Sequence, residues 1–159
     1  MGERSMNEQW SSERRRRETA LTLLEVMVVV AIMGMMALLV TKVVMDRLEE
    51  AKVKKAGIEI SELSDAVQLF YLANSFYPST EQTLQALVEK PTSGRVPERW
   101  PENGYMPAIP RDPWGNEYDY ISPGRDGRQY EIVCYGRDGV EGGEGFDADI
   151  ESWRLHEAE

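Results

Sequence analysis

Two groups of residues in this 159-residue chain have the types and spacing to do chemistry. The first is a lone carboxylate. Glu25 is the one ionisable residue in Leu21 to Val40, LTLLEVMVVVAIMGMMALLV, where seventeen of twenty residues are apolar. A carboxylate in such surroundings costs roughly 2.5–3.5 kcal/mol at the centre of a spanning helix, and less near its end. It calls for a positive partner, or else it reaches water by snorkelling. The second group is Tyr135 to Ile150, YGRDGVEGGEGFDADI, with three Asp, two Glu and five Gly in sixteen residues. Calcium takes about six to eight hard oxygens, mixing carboxylates with backbone carbonyls. Glycines let a loop turn those carbonyls inward. Asp138, Asp147 and Asp149 could converge on one ion if the loop closes on itself. The same composition describes a flexible, solvated acidic loop. It is not an EF-hand, because Val140 and Gly142 stand where Asp or Asn would be needed after Asp138.

Other chemistries are poorly supplied. One Cys cannot form an intrachain disulfide, and one His with one Cys cannot build an ordinary zinc site. Cys134 falls in a strand-like run and reads as a small buried hydrophobe. His156 lies near an acidic tail, with no G-x-S-x-G or S-x-x-K motif anywhere in the chain. The aspartates could serve an anchored enzyme as catalytic carboxylates, but a glycine-rich loop preorganises them badly. The net charge of -10 argues against nucleic acid, because phosphate contacts need clustered Lys and Arg.

The elements that must position these residues emerge from the pattern. Twenty helical residues from Leu21 span about 30 Å, the thickness of a bilayer's hydrocarbon core. Arg14 to Arg17 precede the span, which places the N-terminus in the cytoplasm and the bulk of the chain outside. A cleaved secretory signal fits poorly: the span is too long, and Val40-Thr41-Lys42 is not a small-residue cleavage site. A plain signal anchor is the simpler alternative. The mean hydropathy of -0.48 therefore averages a spanning helix with a hydrophilic head.

Leu48, Ala56, Ile60, Leu63, Val67 and Phe70 recur largely at three- and four-residue steps, and no Pro interrupts Leu21 to Phe76. This predicts one long helix, apolar all round in its lower half and amphipathic in its upper half. Glu50 and Lys54 form an i,i+4 pair in the favourable order. Ser79-x-x-Gln82 is a capping-box pattern opening a short helix over Leu84, Leu87 and Val88, which Pro91 stops. Six prolines between Pro91 and Pro113 mark a loop, fastened to the core by Trp100, Tyr105 and Trp114. Glu117 to Ile121 and Gln129 to Tyr135 read as strands joined by a turn.

The N-terminal elements have a known parallel. An Arg-rich leader, Ala20, then Leu21-Thr22-Leu23-Leu24-Glu25 and a Val/Ile/Met helix resembles the class III signal of type IV pilin-like proteins. The resemblance implies that a prepilin peptidase cuts between Ala20 and Leu21 and that Leu21 becomes N-methylated. It implies that Glu25, fifth after the cut, pairs with the free amine of a neighbouring subunit. The chain departs from the usual pattern in having Ala20 for Gly, Leu21 for Phe, and Lys42 where many members carry Pro.

Further motifs narrow this. Tyr-Pro-Ser-Thr-Glu-Gln at 77–82, Pro-Arg-Asp-Pro-Trp-Gly-Asn at 110–116, Ser-Pro-Gly at 122–124 and Gly-x-Asp-Gly…Asp-x-Asp-Ile…Trp at 136–153 are similar, in order, to the major pseudopilins of type II secretion systems. That resemblance implies an α+β, pilin-like fold: a long N-terminal helix packed against a small antiparallel sheet. It implies a Ca2+-binding C-terminal loop, with side chains of Asp138, Asp147 and Asp149 and carbonyls of Tyr135 and Val140 as ligands. Glu141 and Glu144 are left to solvent, though either could substitute as a ligand. It divides the chain into a cytoplasmic leader (1–20), a transmembrane and fibre-core helix (21–45) and a periplasmic globular domain (46–159).

The function implied is structural. The subunit would leave the inner membrane and polymerise into a periplasmic pseudopilus that drives protein export. Its partners would be further copies of itself, minor pseudopilins, the inner-membrane secretion platform and the prepilin peptidase. The alternative is a type IV major pilin of a surface fibre. Those commonly staple a C-terminal loop with two Cys, whereas this chain has Cys134 alone and offers an acidic loop.

Overall fold

The computed structural model describes residues 22–155. The chain divides into two units, with the boundary between Lys42 and Val43. One helix, α1, runs Leu23–Asn74. Thr22 opens it: its hydroxyl accepts from Glu25 N at 3.2 Å. Glu25 therefore sits in the first turn, where the helix dipole favours a negative charge. From Thr22 to Lys42 every side chain is exposed, including Leu23 at 81% and Leu38 at 76%. Apolar surface of that extent marks a membrane or protein contact. The helix is long and apolar enough to cross a membrane.

In the second unit the same helix becomes one-sided. Ala56, Ile60, Leu63, Ala66, Val67 and Phe70 are buried, at the three- and four-residue steps that define one face. Gly57 stands where Leu155 lies alongside, 3.4 Å from where a Cβ would be. The helix ends because Ser75 turns into the left-handed region, φ 62°, and its N–H caps the Tyr71 carbonyl. Asn74 then fastens the long loop. Its Nδ2 donates to Tyr105 Oη at 2.9 Å, and its Oδ1 accepts from Arg99 N at 3.1 Å.

Three strands make an antiparallel sheet in the order β1 (Asp119–Ile121), β2 (Glu131–Cys134), β3 (Ile150–Glu151). Tyr120 pairs with Ile132, and Cys134 with Ile150. Tyr118, Tyr120, Ile132 and Cys134 meet the buried helix face, and Leu84 and Leu87 close the same core. Trp100, Tyr105 and Trp114 pack against it from the proline-rich loop.

Four details differ from the sequence expectation. The segment after Ser79 makes the reciprocal bonds of a capping box, Gln82 N to Ser79 Oγ and Ser79 N to Gln82 Oε1. Yet the box leads into a 3-10 turn, Leu84–Leu87, because Thr83 at φ 52° breaks the helical path. Glu50 pairs with Arg47 at 2.8 Å rather than with Lys54. β3 is a strand that the sequence pattern does not predict. Both expected strands are shorter than read, β1 being Asp119–Ile121 and β2 Glu131–Cys134, and all four residues of β2 are buried, Glu131 and Val133 included.

Candidate functional site: the acidic C-terminal loop and the first helical turn

The loop between β2 and β3 folds back on itself. Arg137 N donates to the Phe146 carbonyl at 3.0 Å, and Gly139 N to the Tyr135 carbonyl at 3.1 Å. Gly136 and Gly143 both adopt positive φ where the two limbs meet. A Cβ on Gly136 would come within 2.8 Å of the Asp147 carbonyl oxygen, and one on Gly143 would collide with it. Only glycine fits either place.

Within this fold the three aspartates have different occupations. Asp138 is exposed and caps the next turn, its Oδ1 accepting from Val140 N at 3.1 Å. Asp149 Oδ2 accepts from Gly142 N at 2.9 Å, which ties the loop's tip to its return limb. Asp149 Oδ1 is buried with no hydrogen-bond partner. The other such oxygen among the described residues, Glu151 Oε2, lies 2.8 Å from Arg154 Nε in an ion pair. Asp147 is gripped by Arg137, Nε to Oδ1 at 2.8 Å and Nη2 to Oδ2 at 2.9 Å. Glu141 and Glu144 are exposed, and Glu141 lies 3.4 Å from Arg125.

The set fits a hard cation in its donor chemistry. It offers carboxylates, backbone carbonyls at Tyr135 (which accepts from Gly139 N) and Val140, and one buried carboxylate oxygen left without a partner. Asp147 has both carboxylate oxygens engaged by Arg137. Among the described residues no three Asp, Glu, His or Cys side chains stand together as a metal-holding group. The sequence reading missed Arg137, although it precedes Asp138 directly. Its partner lies ten residues away, and only the closed loop brings the two together.

Another carboxylate, Asp112, organises the loop before β1. Asp112 is 4% exposed. It accepts from Trp114 N at 3.0 Å and Asn116 N at 2.8 Å, and Cys134 Sγ lies 3.4 Å from its Oδ2. Burial, with the neighbouring Asp112 carboxylate adding to it, pushes the Cys134 thiol up to about 12. That is the opposite of the thiolate activation a nucleophile requires.

Helix and loops are tied by two further carboxylates. Glu49 Oε2 accepts from Trp114 Nε1 at 2.8 Å, while its Oε1 pairs with Lys52 at 2.9 Å. The bonds from Lys52 and Trp114 hold the Glu49 carboxyl below its ordinary value. Tyr118 Oη donates to Glu59 Oε2 at 2.6 Å. Burial, together with that bond, raises the Tyr118 hydroxyl far above its usual range.

Ala20, Leu21 and His156 lie outside the described residues. Glu25 is described: it is exposed in the first turn of α1.

The family model described as type II secretion system, protein G, matches residues 43–153. The prokaryotic N-terminal methylation motif matches residues 15–41. The type II secretion system core protein G of Pseudomonas aeruginosa is 45% identical over 139 residues, covering 87% of this chain and 97% of that protein. The core protein G of Vibrio cholerae is 45% identical over 142 residues, covering 89% and 96%. Among solved structures, the major pseudopilin from the type 2 secretion system of enterohaemorrhagic Escherichia coli superposes with a TM-score of 0.60 at 35% identity. It covers 69% of this chain and 92% of that one.

Proposed function

Because the chain belongs to the type II secretion system protein G family, we propose that it is the major pseudopilin subunit of such a system, a structural component rather than an enzyme. The observation that carries this reading is the helix Leu23–Asn74. Its first half exposes apolar side chains throughout and carries Glu25 in its first turn, and its second half is the backbone of the head's core. Such a helix is stable in a lipid bilayer or in the centre of a fibre, because either covers the apolar surface.

The precursor is a single-pass inner-membrane protein with its N-terminus in the cytoplasm and residues 46–159 in the periplasm. Prepilin peptidase cuts between Ala20 and Leu21, and Leu21 is N-methylated. The new amine of one subunit then meets Glu25 of a neighbour, which offsets two charges that are costly in a low-dielectric fibre core. Copies of the chain polymerise into the pseudopilus on the inner-membrane secretion platform, together with minor pseudopilins. A type IV surface pilin is the lesser reading, since Cys134 alone cannot supply a disulfide staple.

Calcium belongs to the same reading. Asp138 and Asp149 would hold it with the carbonyls of Tyr135 and Val140, and Asp147 would join them. The ion would supply positive charge and fix the loop against the sheet edge, and its binding energy would add to the stability of the head.

The test is assembly. In cells overproducing the system, Glu25→Ala should leave the amount of membrane-inserted subunit unchanged and abolish fibres. Fibres of normal length and number from the variant would remove the role given to Glu25.

A further inference from the structure

We propose that Arg137 is a built-in competitor for the cation at Asp147, closing the acidic loop when calcium is absent and yielding its carboxylate when calcium binds. The inference rests on the calcium reading under the proposed function.

The geometry carries it. The guanidinium takes both Asp147 oxygens in a fork, at 2.8 and 2.9 Å. That is the bidentate arrangement for which arginine is shaped. A carboxylate so engaged has its best lone pairs directed at nitrogen, so it cannot also offer them to a metal. The pair spans the mouth of the loop between residues ten apart, beside the bond from Arg137 N to the Phe146 carbonyl. Gly136 and Gly143 bring both limbs directly against the Asp147 backbone. Closure at this point therefore fixes the limbs whichever cation provides it.

The pair is also placed to exchange. The Arg137 side chain is 50% exposed and that of Asp147 31%. Ion pairs open to water are held loosely enough for another cation to displace them. Asp149 is poised differently, with one oxygen tied to Gly142 N and the other buried without a partner. The calcium ligands thus fall into two kinds. Asp149 is ready for an ion as it stands, and Asp147 is released to it. Where it stands, the guanidinium also feels the charges of Glu49 and Asp138. By linkage, whatever Arg137 contributes to the calcium-free loop must be given up on binding, so calcium affinity is lowered by the same factor.

Calcium chloride would be titrated calorimetrically into the full chain in detergent micelles, for the native protein and for Arg137→Ala and Arg137→Gln. Thermal melts would be recorded in parallel in excess EGTA. The expected result is calcium binding about five- to tenfold tighter in both variants, with a lower calcium-free melting temperature. Unchanged affinity with a lowered calcium-free melt would make the pair a plain structural tie and overturn the competition, leaving the calcium reading intact. Weaker binding by the variants would likewise overturn it, making Arg137 a support of the site. No calcium uptake by any of the three proteins would sink the calcium reading itself, and the competition with it.

Discussion

Asp112 shows how much one buried residue can organise here. Its carboxylate satisfies two backbone N–H groups of the Trp114–Asn116 turn and lies against the Cys134 thiol. The motif Pro-Arg-Asp-Pro-Trp-Gly-Asn thus has a structural explanation: Asp112 holds the turn, and the turn presents Trp114 to Glu49. Removing the carboxylate leaves two part-buried donors without their partner, and a fully buried one typically costs about 1–3 kcal/mol. We expect Asp112→Ala to destabilise the head by about 2–4 kcal/mol in urea denaturation. A loss below about 0.5 kcal/mol, the range of ordinary surface changes, would mean that water replaces the carboxylate at little cost. The aspartates of the C-terminal loop differ from Asp112 in being partly open to solvent, which leaves them accessible to an ion.

At the scale of elements, what was legible in the sequence depended on length and periodicity. α1 could be read because its upper half repeats apolar residues at three- and four-residue steps, and those residues are the ones buried. The central strand could be read from the apolar and aromatic run of Gln129 to Tyr135 after a turn, though only Glu131–Cys134 forms it. β3 could not: Ile150–Glu151 has no room for a period. It is held partly from outside, by Ser152 N donating to the Ile132 carbonyl and Ser152 Oγ accepting from Ile132 N. The segment after Ser79 is a 3-10 turn rather than a short helix because the left-handed Thr83 leaves no trace in residue type. Glu50 pairs with Arg47 although the Lys54 order is the favoured one, because both lie one turn away and the preference is only a few tenths of a kcal/mol. For the acidic loop, composition showed that a cation was plausible. It could not show that Arg137 already supplies one at Asp147.

The tie between helix and loop at Glu49 has a consequence for pH. Its carboxyl is held below the ordinary value by Lys52 and Trp114. A depressed carboxylate stabilises the fold above its unfolded value of about 4.3, and that contribution is lost as pH falls through the folded value. Glu49→Gln should therefore lower the melting temperature at neutral pH and flatten its fall between about pH 5 and 3. Equal acid sensitivity in the variant would show that other carboxylates govern that limb.

On the scale of the whole molecule, one helix serves two environments. Its first half has no partner within the described residues, while its second half is the floor of a folded head. The charge divides in the same sense. Residues 21–159 hold 13 basic and 24 acidic residues, while residues 1–20 hold five Arg and four Glu. In the proposed topology a slightly positive leader before the span would orient it, with the acidic bulk outside. Lys42 keeps the helix unbroken where a proline would have interrupted its bonds. One processing event is decisive for the proposed function: the conversion of an anchored precursor into a subunit whose free amine can meet Glu25. Mass spectrometry of the protein extracted from membranes that contain prepilin peptidase tests it most directly. The predicted result is a chain beginning at Leu21 and carrying one methyl group on its amine. A mature chain that retains residues before Leu21 would contradict that conversion and leave a plain signal anchor in its place.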